Sequence, residues 1–505
     1  MDKALQNEAL DTQSAARRRF LTQAAATGAA AALPALAQEE SGKSSAPAAT
    51  SSQGSIADTL AQYATTLKYE DVPPEIVRMT KRIIIDTLGC AIGAYSANPS
   101  QIAVKLAAAV RATHGAGILC SGIKTSPDLA AFANGVMIRY LDFNDGYISL
   151  GNGHPSDTIA ALLSTAEVAG RNGRDLIVAT VLAYEVFCKV SDVLDIKSVG
   201  MDSSTVAGLA GVVGASRLLG LSQPQMVHAI SITIAGNSAV NQTRRETLSN
   251  WKSCGSAEAC RKAIFAAQLA QAGMTGPNHA FEGREGFFNL IKLKPFKLPK
   301  FGGAGEPFGM IHTSTKRFAL GQYAQTAAQA AIEARSFFTD VNEIAEVNIR
   351  VSQNAIKTMA DSPDKWRPQT HETADHSLPY ATAVVLKYGT IDEHHYGDEF
   401  LHDERLLDLV SRVRCIPSEE ADRRQREIVL CDLEIALKSG PRKSIRVEYH
   451  RGHWKNPMTD AETDEKFRSL ASKQLTPQKT DALLRELWAL ESLPQAGALI
   501  EMTRL

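Results

Sequence analysis

The chain has 505 residues, 44% hydrophobic and 22% charged, with a formal net charge of -1 at pH 7. That length exceeds what one compact core holds, so two domains of an ordinary soluble globular protein are the starting expectation. Near-zero net charge gives nucleic acid or a membrane surface no footing as partner, although Lys and Arg remain available locally for a small anion. Seven scattered cysteines, an odd number with no C-x-x-C pair, argue against a disulfide framework, a zinc ribbon or an iron–sulfur cluster. They read as buried structural thiols.

Arg17-Arg-Arg-Phe-Leu21 precedes an Ala-rich, weakly apolar run that ends in Leu33-Pro-Ala-Leu-Ala37. Consecutive arginines, a short apolar stretch and an A-x-A end read as a twin-arginine export signal over residues 1–37. The run is too short for a permanent membrane span. The expectation is a periplasmic protein without membrane attachment once the signal is removed, a cytoplasmic one being the alternative. Residues 38–55 are rich in Ser, Ala, Gly and Gln and read as a disordered linker.

From Ile56 the pattern is helical. Pro73-Pro74-Glu75 suits a first helical turn, and Ile76, Met79, Ile83, Ile84, Leu88 and Ile92 recur at helical spacing. Helical character continues through Val104 to Ala112, Pro127 to Tyr140, Thr158 to Ala169, Leu176 to Val190, Val206 to Leu219 and Gln223 to Ala235. Convincing strand sequence is scarce up to Gly309. The glycines from Gly208 to Gly214 follow no strand, so they read as tight helix packing and not as a dinucleotide fingerprint. The character changes near His312. Val347, Ile349 and Val351 alternate, Arg412 to Ile416 is a short strand candidate, and Leu433–Leu437 and Ile445–Tyr449 flank a turn at Ser439-Gly-Pro-Arg. Thr459-Asp-Ala-Glu462 is a capping box that opens the last helices. The fold class expected is mainly α: a helical domain over 56–312, an α+β lid over 313–452, and helices over 453–505 that return to the first domain. A cleft between domains is the natural ligand site.

The stretch from Tyr140 to Asp157 holds Asp142, Asp145 and His154 among glycines between apolar helices. Loop acids and a histidine suit proton transfer, while helix capping by His154 or Ser156 is the plainer alternative. Arg244-Arg245 and Trp251-Lys252 read either as solvated charge or as a lining for carboxylates. Lys316-Arg317 lies at the domain boundary. His376 and Tyr380, in Asp375-His-Ser-Leu-Pro-Tyr380, are candidate proton donors at a helix entry. Phe301–Gly309 lacks the Lys-Ser/Thr of a phosphate loop and reads as a connector. With neither G-x-S-x-G nor H-E-x-x-H present, hydrolase and metalloprotease readings are weak.

Several pieces together resemble the MmgE/PrpD family, which includes 2-methylcitrate dehydratase and cis-aconitate decarboxylase. They are Met137-Ile-Arg-Tyr-Leu-Asp-Phe-Asn-Asp145, Gly153-His-Pro-Ser-Asp157, Ala183-Tyr-Glu-Val186, Leu248-Ser-Asn-Trp-Lys252, Phe281-Glu-Gly-Arg-Glu-Gly-Phe287, Lys316-Arg-Phe318, the Trp366 to Tyr380 segment and Asn456-Pro-Met458. The resemblance implies a helical domain with a smaller lid, a homodimer, and no required metal or organic cofactor. It places active-site positions on Asp142, His154, Lys252, Lys316 and Tyr380. Two positions depart from relatives: Asp202-Ser-Ser stands where many carry a histidine, and Gly321 stands near a histidine of the decarboxylase. The wording around Asp142 and His154 is nearer the dehydratase branch.

The resemblance implies dehydration of a small anionic hydroxy di- or tricarboxylic acid by proton abstraction next to a carboxylate. Lys252 and Lys316 would hold carboxylates, with Arg244, His376 and Asp202 as further substrate contacts. His154 would be the acid or base, oriented by Asp142, with Tyr380 a proton donor. An epimerase or decarboxylase of a related acid is the enzymatic alternative, and a non-catalytic exported carboxylate binder the alternative of another class.

Overall fold

A computed structural model describes residues 54–505. Residues 1–37, read from sequence as an export signal, and residues 38–53 of the stretch read as a linker lie outside the described residues. The fold begins at once: Ser55 caps the helix Ile56–Thr66, its side chain accepting from the Asp58 amide. The chain is mainly α with a smaller α+β part, carried by two apolar cores. One draws on residues between Ile56 and Met310 and on Phe467 to Ile500. The other draws on Phe318 to Val447.

In the first, the helix Trp251–Gln271 packs on both Pro127–Tyr140 and Ser204–Leu219, and Gly173–Ser191 packs on Ser204–Leu219. Gly173–Ser191 and Ser204–Leu219 are buried nearly all round, which is why their apolar residues show no polar face. Two expectations need correction. The run expected from Val104 to Ala112 is the helix Asn98–Ala108, started by Pro99 in its first turn. A two-residue antiparallel pair, β1 (Ala116–Gly117) with β2 (Lys124–Thr125), interrupts the helical body. It is too short to carry an alternating pattern.

The second part holds a four-stranded sheet in the order β4-β3-β5-β6. Here β3 is Ile344–Val351, β4 Val413–Pro417, β5 Cys431–Leu437 and β6 Arg442–Val447. β3 pairs parallel with β4 and antiparallel with β5, and β5–β6 is a hairpin. The helix Gln325–Ala334 covers β5 and β6 and packs on Leu378–Tyr388. After the sheet, Thr459 caps Asp460–Ala471, which packs back on Pro74–Gly93 of the helical body. That return brings a C-terminal lysine, Lys466, to the site described next. No described helix is long and apolar enough to cross a membrane.

Candidate active site

The helix Pro127–Tyr140 ends at Leu141, and Asp142 takes a left-handed φ of 46°. Few non-glycine residues sit there; Asp tolerates it better than most, and such strain concentrates where surroundings fix a side chain. The surroundings here are cations. Asp142 Oδ1 accepts from Arg139 Nη1 at 2.6 Å and from Lys316 Nζ at 2.5 Å, and Lys316 also donates to the Asp142 carbonyl at 2.7 Å. Oδ2 lies 2.8 Å from His376 Nδ1 and 3.4 Å from Lys252 Nζ. Burial alone would push this carboxyl up. Arg139, Lys316, Lys252 and His376 outweigh it and hold the group well below the usual carboxylate range.

The loop then closes on itself. Tyr147 and Gly153 exchange both backbone hydrogen bonds, and Gly146 exchanges both with Ser314, just before Lys316. A Cβ at Gly153 would come within 2.7 Å of Phe187 and 2.8 Å of Ser203, so the close approach needs glycine. Asp145 and Asp157 shape this loop. Asp145 accepts from Ser156 Oγ at 2.5 Å and Tyr184 OH at 2.6 Å, and Asn144 donates to Asp157 at 2.9 Å. Burial pushes Asp145 up to about 6.

His154 stands at the cap position of the turn Pro155–Thr158, but its side chain makes no capping bond. Its Nδ1 lies 2.5 Å from the Asp145 carbonyl, so Nδ1 carries the hydrogen and donates. Nε2 then accepts from Arg139 Nη2 at 2.9 Å. Burial, then Arg139 and Lys316, hold His154 well below its ordinary range. The expectation of a histidine poised near working pH is corrected: His154 is neutral with both nitrogens engaged, because a guanidinium occupies its lone pair.

Lys252 lies in the first turn of Trp251–Gln271 and donates to both oxygens of Asp375 at 2.5 Å. Asp375 Oδ1 also lies 3.0 Å from His376 Nδ1. Lys316 is wholly buried, and burial brings its ammonium down to about 8 against the pull of Asp142. One further lysine ties this group together. Lys466 Nζ donates to the carbonyls of Phe143 and Lys316 at 2.8 and 2.9 Å and pairs with Asp86 at 2.6 Å.

Beside this network runs a cleft of about 60 Å³, open at its mouth. Its charged lining is Arg139, Lys197, Asp202, Arg244 and Arg245, joined by the imidazoles of His154 and His376 and by Gly321 and Tyr323. Arg244 Nε pairs with Asp202 Oδ2 at 3.1 Å and Nη1 donates to the Lys252 carbonyl at 2.9 Å. Burial lowers Lys197 to about 8.

The structure thus brings Asp142, His154, Lys252, Lys316 and His376 into one contact network, with Arg244 and Asp202 paired on the adjacent wall. It does not bring all of them to the cleft. Lys252 and Lys316 are not among the lining residues; their ammonium groups are spent on Asp375 and Asp142. Tyr380 is absent from the lining as well. It is buried in the lid core and donates to the His395 carbonyl at 2.7 Å, so the proton-donor role read for it does not fit this geometry. Sequence reading passed over Arg139, Asp375, Lys197 and Lys466. For Arg139 and Lys466 a signal existed: each is a cation on a helix face that is otherwise apolar and buried.

Asp142, Asp375 and His376 offer ligand atoms within 4.8 Å of one another, the spacing of a metal site. The donor set does not fit one. Both oxygens of Asp375 hold Lys252, Asp142 holds Lys316 and Arg139, and a divalent ion there would face three fixed positive charges.

The sequence matches the MmgE/PrpD N-terminal domain over residues 58–298 and the MmgE/PrpD C-terminal domain over residues 318–490. It is 26% identical to the 2-methylcitrate dehydratase of Cupriavidus necator over 434 residues, 80% of this chain and 87% of that protein. It is 25% identical to the 2-methylcitrate dehydratase of Escherichia coli K12 over 399 residues, 73% of this chain and 80% of that protein. It is also 25% identical to the human cis-aconitate decarboxylase over 474 residues, 89% of this chain and 95% of that protein.

Proposed function

The chain belongs to the MmgE/PrpD family, and on that premise we propose that it is a hydro-lyase acting on a 2-methylcitrate-like hydroxy di- or tricarboxylic acid. The observation that carries the reading is the cleft wall: Arg139, Lys197, Arg244 and Arg245 face one space together with His376. Several cations around two imidazoles suit a polyanion whose α-hydrogen must leave. They bind the carboxylates, and they take up the enolate charge that develops when the proton goes. Desolvated side chains make that stabilisation stronger than in water. Lys252 and Lys316 act behind the wall, keeping Asp142 and Asp375 ionised and in place.

Dehydration is favoured over decarboxylation by Gly321. The histidine of the decarboxylase falls near this position, and here a Cβ would come within 2.7 Å of the Met359 methyl and 2.9 Å of its sulfur. Asp202, where many relatives carry a histidine, is committed to Arg244. We take the reaction to run on the chain's own side chains, because the carboxylates that would hold a metal already hold lysines.

Thermal shift and calorimetry of the full-length protein with 2-methylcitrate, citrate and tricarballylate test the ligand class. The rise of conjugated alkene absorbance with 2-methylcitrate tests the reaction. No binding of any polycarboxylate sinks the reading. Export to the periplasm is part of the same proposal. Fractionation of cells expressing the full chain should find it in the periplasm, and the Arg17→Lys, Arg18→Lys double variant in the cytoplasm.

A further inference from the structure

The cleft holds two imidazoles, and they are in opposite conditions. His154 has both ring nitrogens engaged, one by the Asp145 carbonyl and one by Arg139. His376 has its Nδ1 2.8 Å from Asp142 Oδ2 and 3.0 Å from Asp375 Oδ1. Asp375 is a carboxylate held ionised by the neighbouring Lys252, so it accepts, and Nδ1 carries the hydrogen, with the Asp142 carboxylate beside it. The lone pair of His376 is therefore on Nε2, which has no hydrogen-bond partner among the described residues, and the residue lines the cleft. A third imidazole, His371, lies 3.7 Å from Asp375 and packs against Tyr140 and Tyr396, but it is not part of the lining.

We propose that His376 is the base that removes the α-hydrogen, with Asp142 and Asp375 as the positioning residues that fix its reactive tautomer. The proposal rests on the hydro-lyase reading and deepens it. Nε2 forms the new N–H bond, and the C–H electron pair moves through the enolate into the carbon–carbon double bond. The C–O bond breaks with its own pair, and the imidazolium returns the proton to the departing hydroxide. Water and an alkene leave, and His376 is neutral again. The two carboxylates facing Nδ1 stabilise the transient imidazolium, as a carboxylate does for any histidine base it orients. Burial and Lys252 oppose that charge in the resting protein and keep the ring neutral, below its ordinary range. Asp142, Asp375 and Lys252 are the charged groups that set this balance.

The test uses the full-length protein and 2-methylcitrate, with tricarballylate as an unreactive probe of binding. His376→Gln should lower kcat at least ~100-fold while tricarballylate affinity stays within ~3-fold, since a base matters to the transition state and not to the ground state. Added imidazole should raise the turnover of His376→Ala and leave His154→Ala unchanged. Turnover of His376→Gln within ~5-fold of the wild type overturns the assignment, as does imidazole rescue of His154→Ala alone. A wild-type protein that binds tricarballylate but never turns over 2-methylcitrate overturns the hydro-lyase reading itself, and the base assignment with it.

Discussion

Arg139 donates Nη2–H to His154 Nε2 at 2.9 Å while its Nη1–H holds Asp142 at 2.6 Å. One guanidinium thus keeps a histidine neutral and a carboxylate charged. Burial weakens Arg139 as a cation, but Asp142, Asp157 and Asp375 outweigh it, so the charge stays fixed. Arg139→Met should free the His154 lone pair and remove a repelling charge. The titration of His154, followed by NMR of labelled histidine, should move upward by at least ~1 pH unit. An unmoved titration would mean that burial alone sets it.

Lys466 is the second such fastening. Its ammonium holds the Phe143 and Lys316 carbonyls and the buried carboxylate of Asp86. Lys466→Met should destabilise the fold by ~3–5 kcal/mol, because Asp86 is left as an uncompensated buried charge. Asp86→Asn in the Lys466→Met background should recover part of that stability, yet leave turnover low, because the two carbonyls stay unfastened. Denaturant unfolding and alkene formation, measured on both variants, separate the two effects. Equal recovery of stability and turnover would contradict a positioning role.

These two residues also mark how far the sequence could be read. The mainly helical fold with its smaller α+β part was legible, because period-3.6 and period-2 patterns, caps and turn residues agree along most of the chain. Asp142, His154 and His376 were legible as candidates, because they sit in loops at helix ends. Their division of labour was not. Which imidazole keeps its lone pair depends on where Arg139 points, and that is decided by packing between elements. Lys252 and Lys316 read as substrate cations from sequence, yet each is consumed by an aspartate 123 or 174 residues away. Tyr380 sits in the first turn of Leu378–Tyr388, on a face that the lid core happens to cover.

Acid stability should carry the mark of His450. This ring is wholly buried, and burial holds it down at about 4. In the unfolded chain it titrates near its ordinary value of about 6.5. Above that value both states are neutral and the group contributes nothing to pH dependence. Below it the unfolded chain takes the proton first, so stability falls as pH drops from about 6.5 toward 4, with a limiting slope of ~1.4 kcal/mol per pH unit. His450→Gln lacks this slope. The stability gap between wild type and His450→Gln should therefore shrink as pH falls from 7 to 4.5; a constant gap would contradict the buried neutral state.

Turnover should survive metal removal. Asp142 and Asp375 already hold Lys316, Arg139 and Lys252, so chelation has nothing to take from them. Full-length protein dialysed exhaustively against EDTA should keep its rate of alkene formation within ~2-fold, the ordinary limit for a site without a metal role. A loss that a divalent cation restores would contradict the reading of this corner as a lysine–carboxylate network.

The central claim is that a cationic cleft around His376 removes water from a hydroxy polycarboxylate. NMR of the wild-type, full-length protein incubated with 2-methylcitrate tests it most directly. The account predicts that the methine signal next to the carbinol carbon disappears as an alkene product accumulates, with every carboxylate carbon retained. Unchanged 2-methylcitrate, inversion without water loss, or release of carbon dioxide would contradict it.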